Sequence, residues 1–303
     1  MKNAILFIVI SVLFSFCSEQ APTQLLDDTA SPNEQLDIEV LPREQNVFDY
    51  SSDYDSTGIF EPIRQESSVI FANGIKNTYS NITVRQLYMS SVLIDKKMPV
   101  FHRGGRIIGY YSTAEGKVKF NNEYAQISDR KVRIMLNGVS KDTSLGKMFV
   151  IKKRYLLNIP QNFPYNSSIK FEYEKSAMGN HRTSFDIITP DEINGEIKVS
   201  GKKSDKDLKI ELKWNAKNSG KIEIIIGGGR KDKLLIKPLL RLRTDDDGLL
   251  KLPWTFLRSL PFDQFDYLVL SFERAVKKSF SNQMIGENLV ISKSIHNIKF
   301  DIP

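Results

Sequence analysis

The sequence predicts an all-β fold, and three observations lead to that expectation. From residue 68 onward, short runs of Ile, Val, Leu, Phe and Tyr are broken by Gly, Asn, Asp or Pro at intervals of about ten residues. The pattern is clearest at residues 207–214, where four apolar side chains from Leu208 to Trp214 alternate with charged ones. No stretch of this region keeps the period of an amphipathic helix. We therefore expect antiparallel β-sandwich architecture.

The first seventeen residues have the features of an export signal. Lys2 supplies a positive start, and residues 4–16 are apolar apart from Ser11 and Ser15. This run is shorter than the roughly 20 apolar residues that a membrane-spanning helix needs. It fits the apolar region of a signal peptide. Cys17 follows directly and is the only cysteine of the chain, so no disulfide can form within it.

The sequence Leu-Phe-Ser-Phe-Cys at residues 13–17 resembles the lipobox of bacterial lipoproteins. The resemblance implies a signal peptide over residues 1–17 and a lipid on Cys17. It also implies an exported protein anchored in the cell envelope, most simply the outer membrane, facing the periplasm or the outside. Ordinary signal cleavage after Cys17, with Ser15 and Cys17 as the small residues, is the alternative, and an uncleaved anchor would be unusually short.

Residues 18–67 predict an acidic, disordered tether. They hold twelve acidic and two basic residues and few apolar ones. Such a composition buries too little apolar surface to offset the entropy lost on ordering. The remaining residues, 68–303, hold 40 basic and 24 acidic residues, a net charge of +16. The basic residues alternate along predicted strands and do not cluster in one run. We therefore interpret the positive charge first as a solvated surface and second as a polyanion-binding face.

A domain boundary is predicted at residues 187–192, where Pro190 interrupts a strand pattern before a new strand opens at Gly195. The predicted domains are residues 68–190 and residues 191–303, each of a size suited to a sandwich. A tight turn is expected at residues 244–248, and one helical turn between Pro253 and Pro261. This succession of turn, strand, helical turn and strand resembles the last third of immunoglobulin-like modules in bacterial exported lipoproteins. The resemblance implies two immunoglobulin-like sandwich domains and brings no catalytic residue with it.

Two glycine-rich segments, residues 103–106 and 227–231, are candidates for anion binding, because glycine lets backbone amides approach an anion and arginine adds charge. Neither has the phosphate-loop pattern or precedes a helix, so glycine-rich hairpin turns are the preferred interpretation. The candidate residues are Arg103, Arg106, Arg230 and Lys231.

Motifs for catalysis or metal binding are not found in the sequence. The three histidines, His102, His181 and His296, are too far apart in sequence to form a recognisable metal motif. The Asp245-Asp246-Asp247-Gly248 segment lacks the alternating acids and closing glutamate of a calcium loop. No nucleophile motif is present. We therefore predict no catalytic residue, no metal and no cofactor.

The leading functional prediction is a non-enzymatic cell-envelope lipoprotein that serves as a binding or structural module. Its partners would be the membrane, through the lipid on Cys17, and a protein or glycan of the envelope. Specific nucleic-acid binding is not expected. The first alternative is a carbohydrate- or polyanion-binding module that uses the basic face, with Tyr110 or Tyr111 available for stacking on a sugar. The second is an envelope hydrolase whose site the sequence does not reveal.

Overall fold

The computed structural model describes residues 36–41, 48–49, 67–80, 82–101, 105, 107–136, 139–155, 163–175, 182–202, 204–232 and 236–301. The predicted signal peptide, including Cys17, and most of the predicted tether lie outside these residues. The strands are β1 (Asp37–Val40), β2 (Phe48–Asp49), β3 (Ser68–Tyr79), β4 (Ile82–Phe101), β5 (Ile107–Thr113), β6 (Lys117–Phe120), β7 (Glu123–Tyr124), β8 (Gln126–Leu136), β9 (Val139–Tyr155), β10 (Ser168–Glu174), β11 (Arg182–Ile188), β12 (Gly195–Ser200), β13 (Lys209–Trp214), β14 (Lys221–Gly229), β15 (Lys237–Asp245), β16 (Leu249–Leu252), β17 (Tyr267–Asn282) and β18 (Gly286–Asp301). One helical turn, α1 (Trp254–Leu257), and a 3-10 turn (Phe262–Gln264) lie between β16 and β17.

The strands form three sheets. Sheet A has eleven strands in the order β1-β15-β14-β17-β18-β3-β4-β5-β9-β8-β2, and β4 also pairs directly with β9. Sheet B has the order β11-β10-β6-β7, and sheet C has the order β12-β13-β16. The prediction of an all-β fold is therefore confirmed.

Sheets B and C pack on the same face of sheet A, over different strands. The core under sheet C contains Leu212 and Trp214 of β13 together with Leu270 and Phe272 of β17. The four apolar residues of one parity in residues 207–214 are all buried there, as the alternation predicted. A second core under sheet B joins Phe171 to residues of β3, β4, β9 and β18. The layered arrangement is that of a β-sandwich.

The two halves predicted as separate sandwich domains share sheet A. Residues 35–303 form one compact unit. Within it β18, from the second half, pairs in parallel with β3, from the first half, from Asn288↔Ser68 to Lys299↔Tyr79. The predicted boundary at residues 187–192 separates sheet B from sheet C but does not divide sheet A.

Part of the segment predicted as a tether belongs to sheet A. Asp37–Val40 form β1, which pairs with β15 at the edge of the sheet. Ile38 packs on the core under sheet C, and Leu41 is buried against Ile225 and neighbours on the opposite face. The acidic residues of β1 lie beside arginines of β15, so charge pairing offsets the composition that predicted disorder.

Sheet A must be strongly curled, because its two edge strands are close together in the chain. Leu41 ends the β1 segment and Phe48 begins β2. Seven peptide units separate these residues, and they reach at most about 25 Å. Counted through the direct β4–β9 pairing, nine strand spacings separate β1 from β2, and in a flat sheet they would put these edges roughly 43 Å apart. The coiling of the sheet therefore brings its edges toward each other.

The local predictions around β14 and α1 have different outcomes. The turn at residues 244–248 and the helical turn between Pro253 and Pro261 are present. Gly227–Gly229, interpreted as a hairpin turn, instead form the end of strand β14. Glycine is needed there because a Cβ on Gly228 would lie 2.4 Å from the Phe265 ring.

Candidate functional site: a basic arm at one end of sheet A

Two long hairpins extend past the strands that sheet B covers. β4 pairs with β3 only as far as Val92, and beyond it Leu93, Ile94 and Pro99–Phe101 pair with β5. β8 and β9 form the second hairpin, which β5 contacts through a parallel bridge between Ser112 and Gly146. We call the outer parts of these hairpins, residues 93–113 and 128–147, the basic arm.

The basic arm has a small core of its own. Ile108, Val132 and Leu145 are buried together, and Val100 packs against them. This cluster is separate from the cores under sheets B and C. The arm is therefore joined to the rest of the protein mainly through its strands.

Buried polar contacts lock the two hairpins together. The Ser112 hydroxyl lies 2.7 Å from the Lys147 carbonyl oxygen and 3.1 Å from that of Leu145, so it can donate to either. Arg130 is fully buried, and its Nη1 donates to the Tyr110 carbonyl at 2.9 Å. Gly146 has φ +102°, and a Cβ there would overlap the Ser112 carbonyl, so only glycine fits this crossing.

The arm carries an excess of positive charge. Residues 93–113 and 128–147 hold nine basic and three acidic residues, a net charge of +6. Where the β8–β9 part of the arm joins the rest of sheet A, the Lys147 ammonium donates to Asp129 at 2.5 Å. This hydrogen bond lowers the pKa of Asp129 and raises that of Lys147. Lys96, Lys97, Lys131 and Lys141 are exposed. Among the described residues, Lys96 and Lys97 form no ion pair.

Two large apolar side chains are exposed beside these lysines. Met98 is 48% exposed and Phe101 is 56% exposed, both on β4. The ladder between β4 and β5 shifts between Ile94 and Pro99, so the Lys96–Met98 stretch lies in an irregular part of the hairpin. The Lys97 amide donates to the Asp95 carboxylate at 2.9 Å, which fixes this bend. Charged and apolar side chains are thus presented on the same short stretch.

The predicted anion-binding residues fall in two separate places along the chain. Arg103 and Arg106 lie outside the described residues, in the sequence that connects β4 to β5. Arg230 and Lys231 follow β14, and carboxylates already neutralise this turn. Arg230 Nε donates to Asp232 at 2.9 Å, and the Lys231 amide donates to Asp266 at 2.7 Å. The structure therefore describes one of the two predicted pairs, at a turn where Arg230 is paired with Asp232, and the other pair belongs to the sequence of the basic arm.

A second basic cluster lies between sheets B and C, where the segment 189–195 crosses sheet A. Lys76 and Arg85 are directly opposite each other on β3 and β4. Lys76 Nζ donates to Asn194 at 2.8 Å, and Arg85 Nη1 donates to Glu192 at 2.6 Å. Burial, followed by the nearby Arg85, lowers the pKa of Lys76. These cations hold the crossing segment in place rather than facing solvent as a free anion site.

His296 completes this second cluster as a neutral side chain. The Gly195 amide donates to Nδ1 at 2.8 Å, so the ring proton is on Nε2, which lies 2.9 Å from the Thr78 hydroxyl. Burial, with Lys76 and Arg85 nearby, lowers the pKa of His296 to about 3. His296 is 3% exposed on β18, and its hydrogen bonds tie β12 to sheet A.

Asp246, part of the predicted turn after β15, is the centre of a buried ionic network. It is 3% exposed and receives two hydrogen bonds from Arg274, from Nε to Oδ2 at 2.8 Å and from Nη2 to Oδ1 at 2.9 Å. The Trp214 indole also donates to it at 2.9 Å. Arg274 Nη2 further donates to the Asn215 carbonyl at 2.9 Å. These hydrogen bonds hold the turn against β13 and β17.

Among the described residues, no group of three or more His, Cys, Asp or Glu side chains is arranged to hold a metal ion. The same part of the chain contains no helix that is long and apolar enough to cross a bilayer. Comparison with known proteins gives no match to a family model, a curated protein or a solved structure.

Sequence reasoning missed the basic arm because its character depends on pairing. Lys96, Lys97, Lys131 and Lys141 belong to two hairpins that are separate in sequence, and the pairing of β4 and β5 with β9 brings these hairpins together. One signal was available: Lys96-Lys97-Met98 places two cations beside an apolar residue in a segment with no acidic residue after Asp95.

Proposed function

We propose that the protein is a non-enzymatic binding module of the cell envelope, held by a lipid on Cys17, whose basic arm binds an anionic partner. The observation that carries the proposal is the uneven use of charge in the described residues. In the Arg230 turn and the Asp246 network, basic groups are matched by carboxylates. On the arm, Lys96 and Lys97 are exposed and form no ion pair with described residues. Such an excess attracts anions and accelerates their encounter.

The immunoglobulin-like assignment of residues 191–303 is part of this proposal. Its support is the order of the last seven strands: β12-β13-β16 in sheet C, and β15-β14-β17-β18 adjacent to one another in sheet A. Lettered A to G along the chain, these strands give the arrangements A-B-E and D-C-F-G. The A–B–E and C–F–G neighbour relations are those of immunoglobulin-like sandwiches. Scaffolds of this kind commonly present their loops and edges to partners, which is an argument by analogy only.

The anchor is tested by Cys17→Ala. If Cys17 carries the lipid, the variant loses labelling by a fatty-acid analogue and moves from the membrane to the supernatant fraction. Unchanged membrane association would contradict the anchor. This test is independent of the binding surface.

The binding surface is tested by charge reversal in the full chain. Lys131→Glu with Lys141→Glu should weaken binding to a heparin-like polymer at low salt by at least about tenfold, because fewer counterions are released. Lys209→Glu with Lys237→Glu, two exposed lysines away from the arm, is the matched control and should have a smaller effect. The affinity of the wild type should fall steeply with added salt, and neutral glycans should not bind. Equal losses in both double variants would show that net charge, not the arm, determines binding.

A further inference from the structure

We propose that the Lys96–Phe101 stretch of the basic arm docks on an anionic lipid bilayer, with Met98 and Phe101 entering the headgroup region and Lys96 and Lys97 contacting lipid phosphates. This inference rests on the proposed function and names the class of partner for the same surface. Its support comes from side chains on one strand, β4, of the described chain.

The exposed apolar side chains distinguish a bilayer from other anionic partners. A polyanion in water would engage Lys96 and Lys97 but would gain little by covering Phe101. The boundary between headgroups and acyl chains accepts an aromatic or thioether side chain and leaves neighbouring ammonium groups at the phosphate level. Phe101 and Met98 are about half exposed, whereas Ile108, Val132 and Leu145 are buried in the small core of the arm. Among the arm residues whose side chains the structure describes, the large exposed apolar groups therefore lie in the Met98–Phe101 stretch.

Two other exposed apolar side chains, Ile188 and Tyr124, lack this setting. Ile188 is 54% exposed on β11, and its strand neighbours include Asp186 and no adjacent lysine pair. Tyr124 is 54% exposed, but Lys119 Nζ lies 4.5 Å from its ring centroid and covers one face. Single exposed apolar residues are normal on protein surfaces. Met98 and Phe101 differ because two exposed lysines without an ion pair to described residues lie in the same stretch.

The single native cysteine makes a local test possible in the full chain. Cys17→Ala removes the only thiol, and Met98→Cys then provides one labelling position for a polarity-sensitive fluorophore. Ile188→Cys in the same background is the matched control, since its exposure is similar. Because both sites are exposed, labelling should not disturb the core, and a strand-dominated circular dichroism spectrum verifies folding.

We expect a blue shift of the label at position 98 with vesicles of phosphatidylglycerol and phosphatidylcholine in equal parts. We expect none with phosphatidylcholine alone and none at position 188. Adding Lys96→Glu with Lys97→Glu should raise the lipid concentration for half-maximal shift by at least about tenfold, given the attraction per basic residue near an anionic surface. Phe101→Ser should raise it by a similar factor, since it removes apolar burial.

Three outcomes would overturn the inference. The first is no shift at position 98 with anionic vesicles, and the second is an equal shift at position 188. The third is the same shift with heparin-like polymer alone, which would assign the arm to a soluble polyanion. In that third case the proposed function survives while the bilayer inference fails. If instead position 98 shows no shift with anionic vesicles and both charge-reversal variants bind the polymer as the wild type does, both proposals fail.

Discussion

The Asp246–Arg274 pair and the Lys96–Lys97 pair are two opposite uses of charge in one chain. The first is buried beneath sheet C, with each ionic group hydrogen-bonded to its partner and to neighbours. The second is exposed in the irregular part of the β4–β5 hairpin and forms no ion pair with described residues. Buried charge is tolerated only when it is matched, and it then fixes one arrangement of the elements around it. Unmatched charge is retained only in contact with water, where it remains available for a ligand.

The same contrast holds for the apolar cores. The core under sheet C joins twenty buried residues from both of its sheets. The core of the basic arm has three buried residues. Regions with little buried apolar surface open at lower free energy than the main core, and binding elements are often drawn from such regions. We call the described part of the protein outside the basic arm the body. We therefore expect the body to determine the global free energy of unfolding, and the arm to open locally at a lower free energy.

The largest effect is expected from Asp246→Ala. The substitution leaves the Arg274 guanidinium buried without a carboxylate, and the Trp214 indole without an acceptor. Removing one partner of a buried ion pair costs about 3–5 kcal/mol. Denaturant unfolding should show this loss in the free energy of unfolding. Asp245→Ala, an exposed neighbour in the same turn, is the control and should change it by about 0.5 kcal/mol or less. Similar losses in both variants would mean that the turn, not the ion pair, provides the stability.

Leu145→Ala tests whether the arm behaves as a separate region. The substitution leaves a cavity beside Ile108 and Val132, at a cost of about 2–3 kcal/mol for a buried leucine. If the arm opens by itself, amide exchange in β5, β8 and β9 outside the sheet B core should accelerate by roughly 30-fold or more. Exchange in β13 and β17 should not change. Leu250→Ala in the core under sheet C is the counterpart and should accelerate exchange in the body. A uniform acceleration by Leu145→Ala would show that arm and body unfold together.

Acid should weaken the body through His296. Its pKa is about 3 in the folded protein, against about 6.5 in the unfolded chain, because the ring is buried near Lys76 and Arg85. Between these values the unfolded state binds more protons, so stability is complete above pH 6.5 and is lost progressively as the pH falls toward 3. The loss from this residue at pH 5 is about 2 kcal/mol.

The matched variant for this effect is His296→Gln, which does not titrate. Denaturant unfolding of both proteins at a series of pH values should give a difference that changes between pH 6.5 and 3 and is constant above pH 7. A difference that does not depend on pH would remove His296 as the cause.

The sequence was sufficient for the fold class but not for the arm, and particular residues show why. Leu208 to Trp214 could be placed because alternation directly reports which side of a strand is buried. Gly227–Gly229 were misjudged as a turn because the sequence does not show that the Phe265 and Tyr267 rings cover them. The exposure of Met98 and Phe101 is likewise invisible in the sequence. Both residues look like core until the strand ladder shows that β4 extends beyond β3.

The smallest effect is expected at β1, where the charges are matched but only partly buried. Glu39 accepts a hydrogen bond from Arg241 Nη1 at 2.7 Å; the Glu39 side chain is 45% exposed and that of Arg241 is 10% exposed. Partly exposed ion pairs contribute about 0.2–1 kcal/mol, so Glu39→Gln should cost near the middle of that range. Amide exchange at β1 should accelerate about twofold to threefold, and less at high salt because screening weakens the pair. Asp37→Asn is the control, because its contact with Arg243 is longer, at 3.5 Å, and its side chain is more exposed. An effect of Glu39→Gln as large as that of Asp246→Ala would contradict the view that burial sets the value of a charge pair in this protein.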